Sequence, residues 1–491
     1  MVTAVAAFVL CIAMIAAAAT AQAPMAASDF PQTVAGEKLQ GFVKAFNSGD
    51  KEVWRAWILE DPKAVDSPQV FERRMGFFQQ VYGDLGGVEV MRITPRSEYE
   101  ISALLHALHP TQAFEWVNMT MTYDSLPPYG WLSFGLRPTD DPTDKLPEGK
   151  LTDEQIAQNI EEYISSLVDQ DRFSGTVLIA HNGRPIFEKA YGEACKRYSV
   201  PNKIDTKFNL GSMNKMFTGV AIGQLAQEGK LSFDDKVGKY LPDYPNREVA
   251  EKVTIHQLLT HTSGLGQYWE ELFKSQWWEI KTVQQYADLF ADKPLEFEPG
   301  ARFSYSNSGP IVLGMIIEKI TGQSYYDYVR DHIYKPAGMI NSGCFEVDID
   351  EPNLAIGYTH MDYDGSSDPD HWRNNLFLHA IKGGPAGGGY STVEDLVSFA
   401  TALENHVLLS KEYTDIVTTG KVPMGPDAMY AYLFGDETEN GHRFIGHNGG
   451  APGINAVLSI FPESDYVVAV LANYDGAAST VAQRARALIA R

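Results

Sequence analysis

The strongest constraint on this chain comes from two groups of apolar segments set far apart in the sequence. Phe173 to Ala180 and Arg184 to Tyr191 read as strands around His181-Asn182-Gly183, a hairpin turn signal. Near the C-terminus Arg443 to His447, Ala456 to Phe461 and Tyr466 to Asn473 read as three more, followed by a helix from Ala478 to Ala490. Apolar strands need partners for their backbone N–H and C=O groups. The two groups are therefore expected to share one antiparallel sheet, with a long helix-rich insertion between them. Thr152 with Gln155 makes a capping box for a helix carrying Ile156, Ile160, Ile164 and Leu167, which opens a domain spanning 151–491.

Upstream the order of elements differs. Val34, Leu39, Phe42, Val43 and Phe46 keep helical spacing, Trp54 and Trp57 mark a second short helix, and Ser67 to Tyr82 offers a third. Gly87 to Ile93, Tyr99 to Ala107, Ala113 to Tyr123 and Trp131 to Arg137 then read as strands. Helices followed by a curved sheet give a separate α+β domain over 29–137. Residues 138–150 are Pro-rich and acidic and read as a linker. A chain of 491 residues is too long for one ordinary core, which agrees with this division.

Between Val2 and Ala19 the only polar side chains are Thr3 and Cys11, and Ala19-Thr20-Ala21-Gln22-Ala23 follows before the first charge at Asp29. This reads as a secretory signal peptide over residues 1–23, with cleavage fitting best after Ala21, and implies a periplasmic or secreted protein. The apolar run is also long enough to stay as an uncleaved anchor. The net charge of -23, with no basic run to offset it, excludes a nucleic-acid partner. Signal removal takes Cys11 and leaves Cys195 and Cys344, so no disulfide framework holds the fold, and two free thiols are expected in preference to one bridge.

Ser212 and Lys215 stand one helical turn apart at the start of an apolar run containing Met213, Met216, Phe217, Val220, Ala221, Ile222 and Leu225. A Ser-x-x-Lys spacing arises roughly twice by chance in a chain of this length. The other occurrence, Ser48 to Lys51, falls in a polar turn, so context separates the two. At an exposed helix start, the dipole and partial desolvation favour a neutral lysine able to take a proton. Helix-start N–H groups there are also able to hold an oxyanion. A capping serine beside a solvated lysine is the structural alternative. Tyr305-Ser306-Asn307, ahead of the apolar helix 311–320, supplies a phenol and an amide, the latter to hold substrate or lysine. Gly446-His447-Asn448-Gly449-Gly450 begins a strand whose glycines allow close backbone approach, with Gly450 N–H completing an oxyanion hole.

Ser212-x-x-Lys215, Tyr305-x-Asn307 and His447-x-Gly449 together resemble, in order and spacing, the three motifs of the serine beta-lactamase and penicillin-recognising family, in its class C branch. The stretches His256 to Leu265 and Gly387 to Leu396 are also similar to the family's. The resemblance implies an α+β fold of the beta-lactamase/transpeptidase type: an antiparallel sheet flanked by helices, an all-helical half, and an active site at their junction. It implies acylation of Ser212, proton transfer by Lys215 and Tyr305, substrate orientation by Asn307, and an oxyanion hole of Ser212 and Gly450 N–H. No cofactor or metal is implied; His256 and His261 are five apart and read as structural. Class C beta-lactamases carry Lys-Thr-Gly where this chain has His447-Asn448-Gly449, so a fixed cation for a lactam carboxylate is missing. Histidine there is more like the family's esterases and D-amino-acid peptidases, and it is able to be neutral at pH 7.

The expected activity is accordingly hydrolysis of a small ester, amide or D-peptide through an acyl-serine. A beta-lactamase or D,D-carboxypeptidase is the enzymatic alternative, and a retired peptidoglycan- or partner-binding module is the alternative of another class. Tyr268, Trp269, Trp277 and Trp278 are candidates for pocket walls. The order of elements in 29–137 resembles the cone-shaped nuclear-transport-factor-like superfamily, which implies an accessory or homodimerisation role.

Overall fold

The computed structural model describes residues 30–110, 115–139, 141–142, 146–275, 277–362, 368, 371–425 and 428–491. The signal-peptide expectation lies outside the described residues. No helix among them is long and apolar enough to cross a membrane. Contacts divide the described residues into two compact units, one within 146–358 and 374–491 and the other within 30–145 and 359–373.

In the N-terminal unit, α1 (Val34–Asn47), α2 (Lys51–Ile58), α3 (Pro62–Asp66) and α4 (Pro68–Leu85) precede β1 (Val88–Pro95), β2 (Glu100–Ala107), β3 (Trp116–Tyr123) and β4 (Trp131–Thr139). The strands form a meander in the order β1-β2-β3-β4, all antiparallel. Thr33, Asp50, Asp61 and Ser67 each cap their helix with a side-chain oxygen, so each of the four helices has its own defined start. Buried Phe42, Phe46, Trp54, Trp57 and Phe78 fill the space between the helices and the sheet. The helices-then-strands order read from the sequence is present.

The larger unit opens with α5 (Asp153–Asp169), where Thr152 and Gln155 form the expected capping box and Ile156, Ile160, Ile164 and Leu167 are buried. Then come β5 (Gly175–His181) and β6 (Arg184–Tyr191), joined through Asn182 and Gly183, both at positive φ as a two-residue hairpin turn requires. Helices α6 (Lys215–Gln227), α7 (Ser308–Thr321) and α8 (Val393–Glu404) mark the insertion. The chain returns through β7 (Val422–Gly425), β8 (Ala428–Tyr430), β9 (Gly435–Glu439), β10 (His442–Ala451), β11 (Ile454–Phe461) and β12 (Tyr466–Ala472), and closes with α9 (Ala477–Ile489).

These strands form one antiparallel sheet in the order β7-β8-β9-β10-β11-β12-β5-β6. Its two ends of sequence meet where β12 pairs with β5, from Tyr466 opposite His181 to Ala472 opposite Gly175. Every residue of β11 and β12 is buried, as are six of the seven in β5, so the centre of the sheet has no solvent face. Both cysteines of this unit, Cys195 and Cys344, are free thiols.

Candidate active site

Ser212 lies on a 3-10 turn, Gly211–Asn214, that runs directly into α6, so it precedes the α-helix and does not sit in its first turn. Gly211, at φ +50, breaks the regular spiral, and its N–H is held by the Asn209 side chain at 2.9 Å. Ser212 is only 6% exposed, more enclosed than a helix start usually is.

Lys215 is fully buried, and its Nζ donates to Ser212 Oγ at 3.0 Å, to Asn307 Oδ1 at 2.8 Å and to the Ala386 carbonyl. Two of these acceptors, an amide oxygen and a peptide carbonyl, only accept; the serine hydroxyl either accepts or donates. An ammonium fills all three positions. A neutral amine gives its two hydrogens to Asn307 and Ala386 and turns its lone pair to Ser212 O–H, so the same geometry serves both protonation states.

Asn307 is held in its turn. Gln267 Oε1 accepts from both Asn307 Nδ2 at 2.9 Å and Asn307 N–H at 3.1 Å, while Gln267 Nε2 donates to the Tyr305 carbonyl at 2.7 Å. This network orients the Asn307 amide with its oxygen towards Lys215. Of the two roles foreseen for Asn307, holding lysine is the one its buried contacts serve. The Tyr305 ring lies with its centroid 4.9 Å from Lys215 Nζ.

On the sheet side, β9 pairs with β10 only as far as Gly435 opposite Gly446, so residues 447–451 leave that edge uncovered by β9. The turn bearing Ser212 packs against it. A Cβ on Gly449 would stand 1.9 Å from the Leu210 carbonyl, and a Cβ on Gly211 would come within 3.0 Å of Gly450 N. Glycine at both positions is what brings the Gly450 backbone to the serine turn. The Gly387–Leu396 stretch meets the same turn: Gly388 N–H donates to the Gly211 carbonyl at 3.1 Å, and Leu210 N–H to the Gly389 carbonyl at 2.7 Å.

His447 has both ring nitrogens engaged, Nδ1 with the Asn448 carbonyl at 2.5 Å and Nε2 with Tyr430 Oη at 3.0 Å. Burial, then the nearby Lys215 charge, pushes this imidazole down to about 3, so it is neutral at pH 7. His261 is buried against Tyr305, ring centroids 4.3 Å apart, and is held well below its ordinary 6.5 by burial, Lys215 and His447. A pocket partly open to solvent adjoins Ser212 and Gly450. Tyr268, Trp269, Tyr286, Phe345 and Leu378 wall it, whereas Trp277 and Trp278 are not among its lining residues.

Residues 156–491 match the family model described as Beta-lactamase. The chain belongs to the beta-lactamase family. That membership makes it a serine hydrolase of the beta-lactamase/transpeptidase fold, as the sequence motifs implied. Among its relatives in the family is penicillin-binding protein 4* of Bacillus subtilis (strain 168), 30% identical over 317 residues, which cover 61% of this chain and 68% of the relative. The crystal structure of a penicillin binding protein from Bacillus halodurans is similar with a TM-score of 0.60 at 33% identity, covering 66% of this chain and 98% of that one. D-amino acid amidase from Ochrobactrum anthropi SV3, solved with D-phenylalanine, shares the beta-lactamase-family fold at 24% identity and a TM-score of 0.57, over 67% of this chain and 99% of its own.

All seven residues singled out in the sequence, Ser212, Lys215, Tyr305, Asn307, His447, Gly449 and Gly450, lie in the larger unit around this turn. Gln267, the Ala386 carbonyl and Tyr430 were not foreseen. Ala386 and His261 border or belong to the two extra family-like stretches, which is the signal that pointed nearest to them.

Proposed function

We propose that this protein is an exported hydrolase that cleaves a small ester or amide through an acyl-enzyme on Ser212. The contact that carries the reading is Lys215 Nζ, 3.0 Å from Ser212 Oγ and fixed from behind by Asn307 and Ala386, at the wall of an apolar pocket. Ser212 Oγ attacks the carbonyl carbon as its proton passes to the Lys215–Tyr305 pair. The oxyanion is met by the N–H groups of Ser212 and Gly450. The pair then returns the proton to the leaving alcohol or amine, and activates a water that releases the acid and regenerates the serine.

A neutral His447 with both nitrogens engaged favours esters and amides over substrates that need a cation beside the scissile bond, such as beta-lactams. The amidase among the similar structures supports D-amino-acid amides as candidates. Export rests on the apolar residues 2–19, and the N-terminal unit is read as an accessory module. The test is pre-steady-state release of nitrophenol from a short-chain ester, beside a chromogenic cephalosporin, with intact mass on wild type and Ser212→Ala. A burst, one acyl adduct and a faster ester reaction are expected for wild type, and none of these for Ser212→Ala. Turnover by Ser212→Ala near the wild-type rate would remove Ser212 from the mechanism.

A further inference from the structure

Four hydrogen bonds connect the loop carrying Tyr305 to the strand edge carrying Gly450. Ser306 N–H donates to His261 Nδ1 at 3.3 Å, His261 Nε2 meets Tyr430 Oη at 3.0 Å, Tyr430 Oη meets His447 Nε2 at 3.0 Å, and His447 Nδ1 meets the Asn448 carbonyl at 2.5 Å. The two ends decide every proton between them. A peptide N–H only donates, so His261 Nδ1 carries no hydrogen and a neutral ring places it on Nε2. That hydrogen goes to Tyr430 Oη, which must then give its own to His447 Nε2. His447 Nδ1 keeps the remaining hydrogen and gives it to Asn448, whose carbonyl only accepts. Two neutral imidazoles and one phenol thus satisfy the chain in a single direction, and protonating either ring breaks one link.

The chain joins the two halves of the site. His261, at φ +55, binds the Tyr305–Asn307 loop twice, through its ring to Ser306 and through its carbonyl, which accepts from Ser304 N–H at 2.8 Å. Tyr430 ends β8, two strands away from β10 in the sheet. We propose that His261 and Tyr430 are positioning residues, a one-way hydrogen-bond relay that holds the Tyr305–Asn307 loop and the His447–Gly450 edge in register about Ser212. The catalytic part of this statement rests on the reading of Ser212 as nucleophile; the relay itself does not. The relay also commits the ring hydrogen of His447, so this imidazole has no free N–H to offer a neighbouring group. The titratable groups that face the two rings are Lys215 from α6, Tyr305 from the loop, Tyr430 from β8 and each other.

The test is nitrogen NMR of the full chain with ring-labelled histidine, assigned with His447→Gln and His261→Gln. The expected spectrum has His261 protonated at Nε2 and His447 at Nδ1, both unchanged from pH 8 to pH 5. The opposite tautomer at either ring, or titration of either ring in that interval, overturns the relay. In kinetics, Tyr430→Phe is expected to lower kcat on the order of tenfold to a hundredfold with KM within about twofold, as misplacement of fixed groups does. An unchanged kcat in folded Tyr430→Phe overturns the positioning role. Should that variant not fold, the wild-type tautomers alone decide. Retained turnover in Ser212→Ala would sink the reading of Ser212 as nucleophile and leave the spectra as they are, so the two failures are distinguishable.

Discussion

The contacts of Lys215 suit the proposed chemistry, which needs one buried residue in two states. A lysine with three obligate acceptors would be locked as an ammonium, and one with none would be an unpaired buried charge. Here two acceptors are fixed and the third is Ser212, the proposed nucleophile. The same low-dielectric setting governs the histidines, and a stability prediction belongs at this scale. His447 and His261 stay neutral in the folded protein well below 6.5, whereas the unfolded chain takes up a proton at each as pH falls through that value. The unfolded state then binds more protons, so their contribution is constant above about pH 7 and is lost as pH falls from 6.5 towards 3. Urea unfolding of wild type and His447→Gln at pH 7.5 and pH 5 checks this: the gap in stability between the two proteins should shift in favour of the variant at pH 5. A gap independent of pH would mean that the folded ring accepts the proton.

At the scale of elements, the site is a 3-10 turn pressed against a strand edge that β9 leaves uncovered, and glycine makes the contact possible. Gly449→Ala would place a methyl against the Leu210 carbonyl, so a loss of about 1–3 kcal/mol is expected from overpacking. Moving the Gly450 N–H with it should reduce kcat more than it raises KM, which thermal melts and ester kinetics on one preparation will separate. Wild-type kinetics in the variant would show that Gly450 is not an oxyanion donor. This strand was legible in advance because its glycines and His447 are adjacent in sequence and fall in order with Ser212-x-x-Lys215 and Tyr305-x-Asn307. The relay was not. Nothing in Ala428-Met429-Tyr430 marks Tyr430 as the bridge between two histidines, and Gln267 sits in no motif; both act through bonds made across the fold. His261 lay inside a family-like stretch yet read as structural, since its partners come from residues far along the chain.

For the whole molecule, a single sheet shared by the strands of both groups was foreseen because apolar strands at both ends of one region have few other partners, and the join falls between β5 and β12. Helix α9 packs on β12 and β11 and buries Ala478, Val481, Ala482, Ala485 and Leu488. A chain ending before Ala477 should therefore lose the cooperative unfolding of the larger unit, along with the nitrophenol burst, by calorimetry and stopped flow. A cooperative melt in the truncated chain would show that the sheet holds without its last helix. The same layout orders events in time. The ribosome completes Ser212 and Lys215 long before β10 and β12 exist, so the proposed nucleophile waits for its proposed oxyanion donor and the sheet stays open until the last segments emerge. Chains from interrupted synthesis are expected to carry Ser212 in an unassembled site, with hydrolytic activity confined to molecules that have gained β10 to β12 and α9.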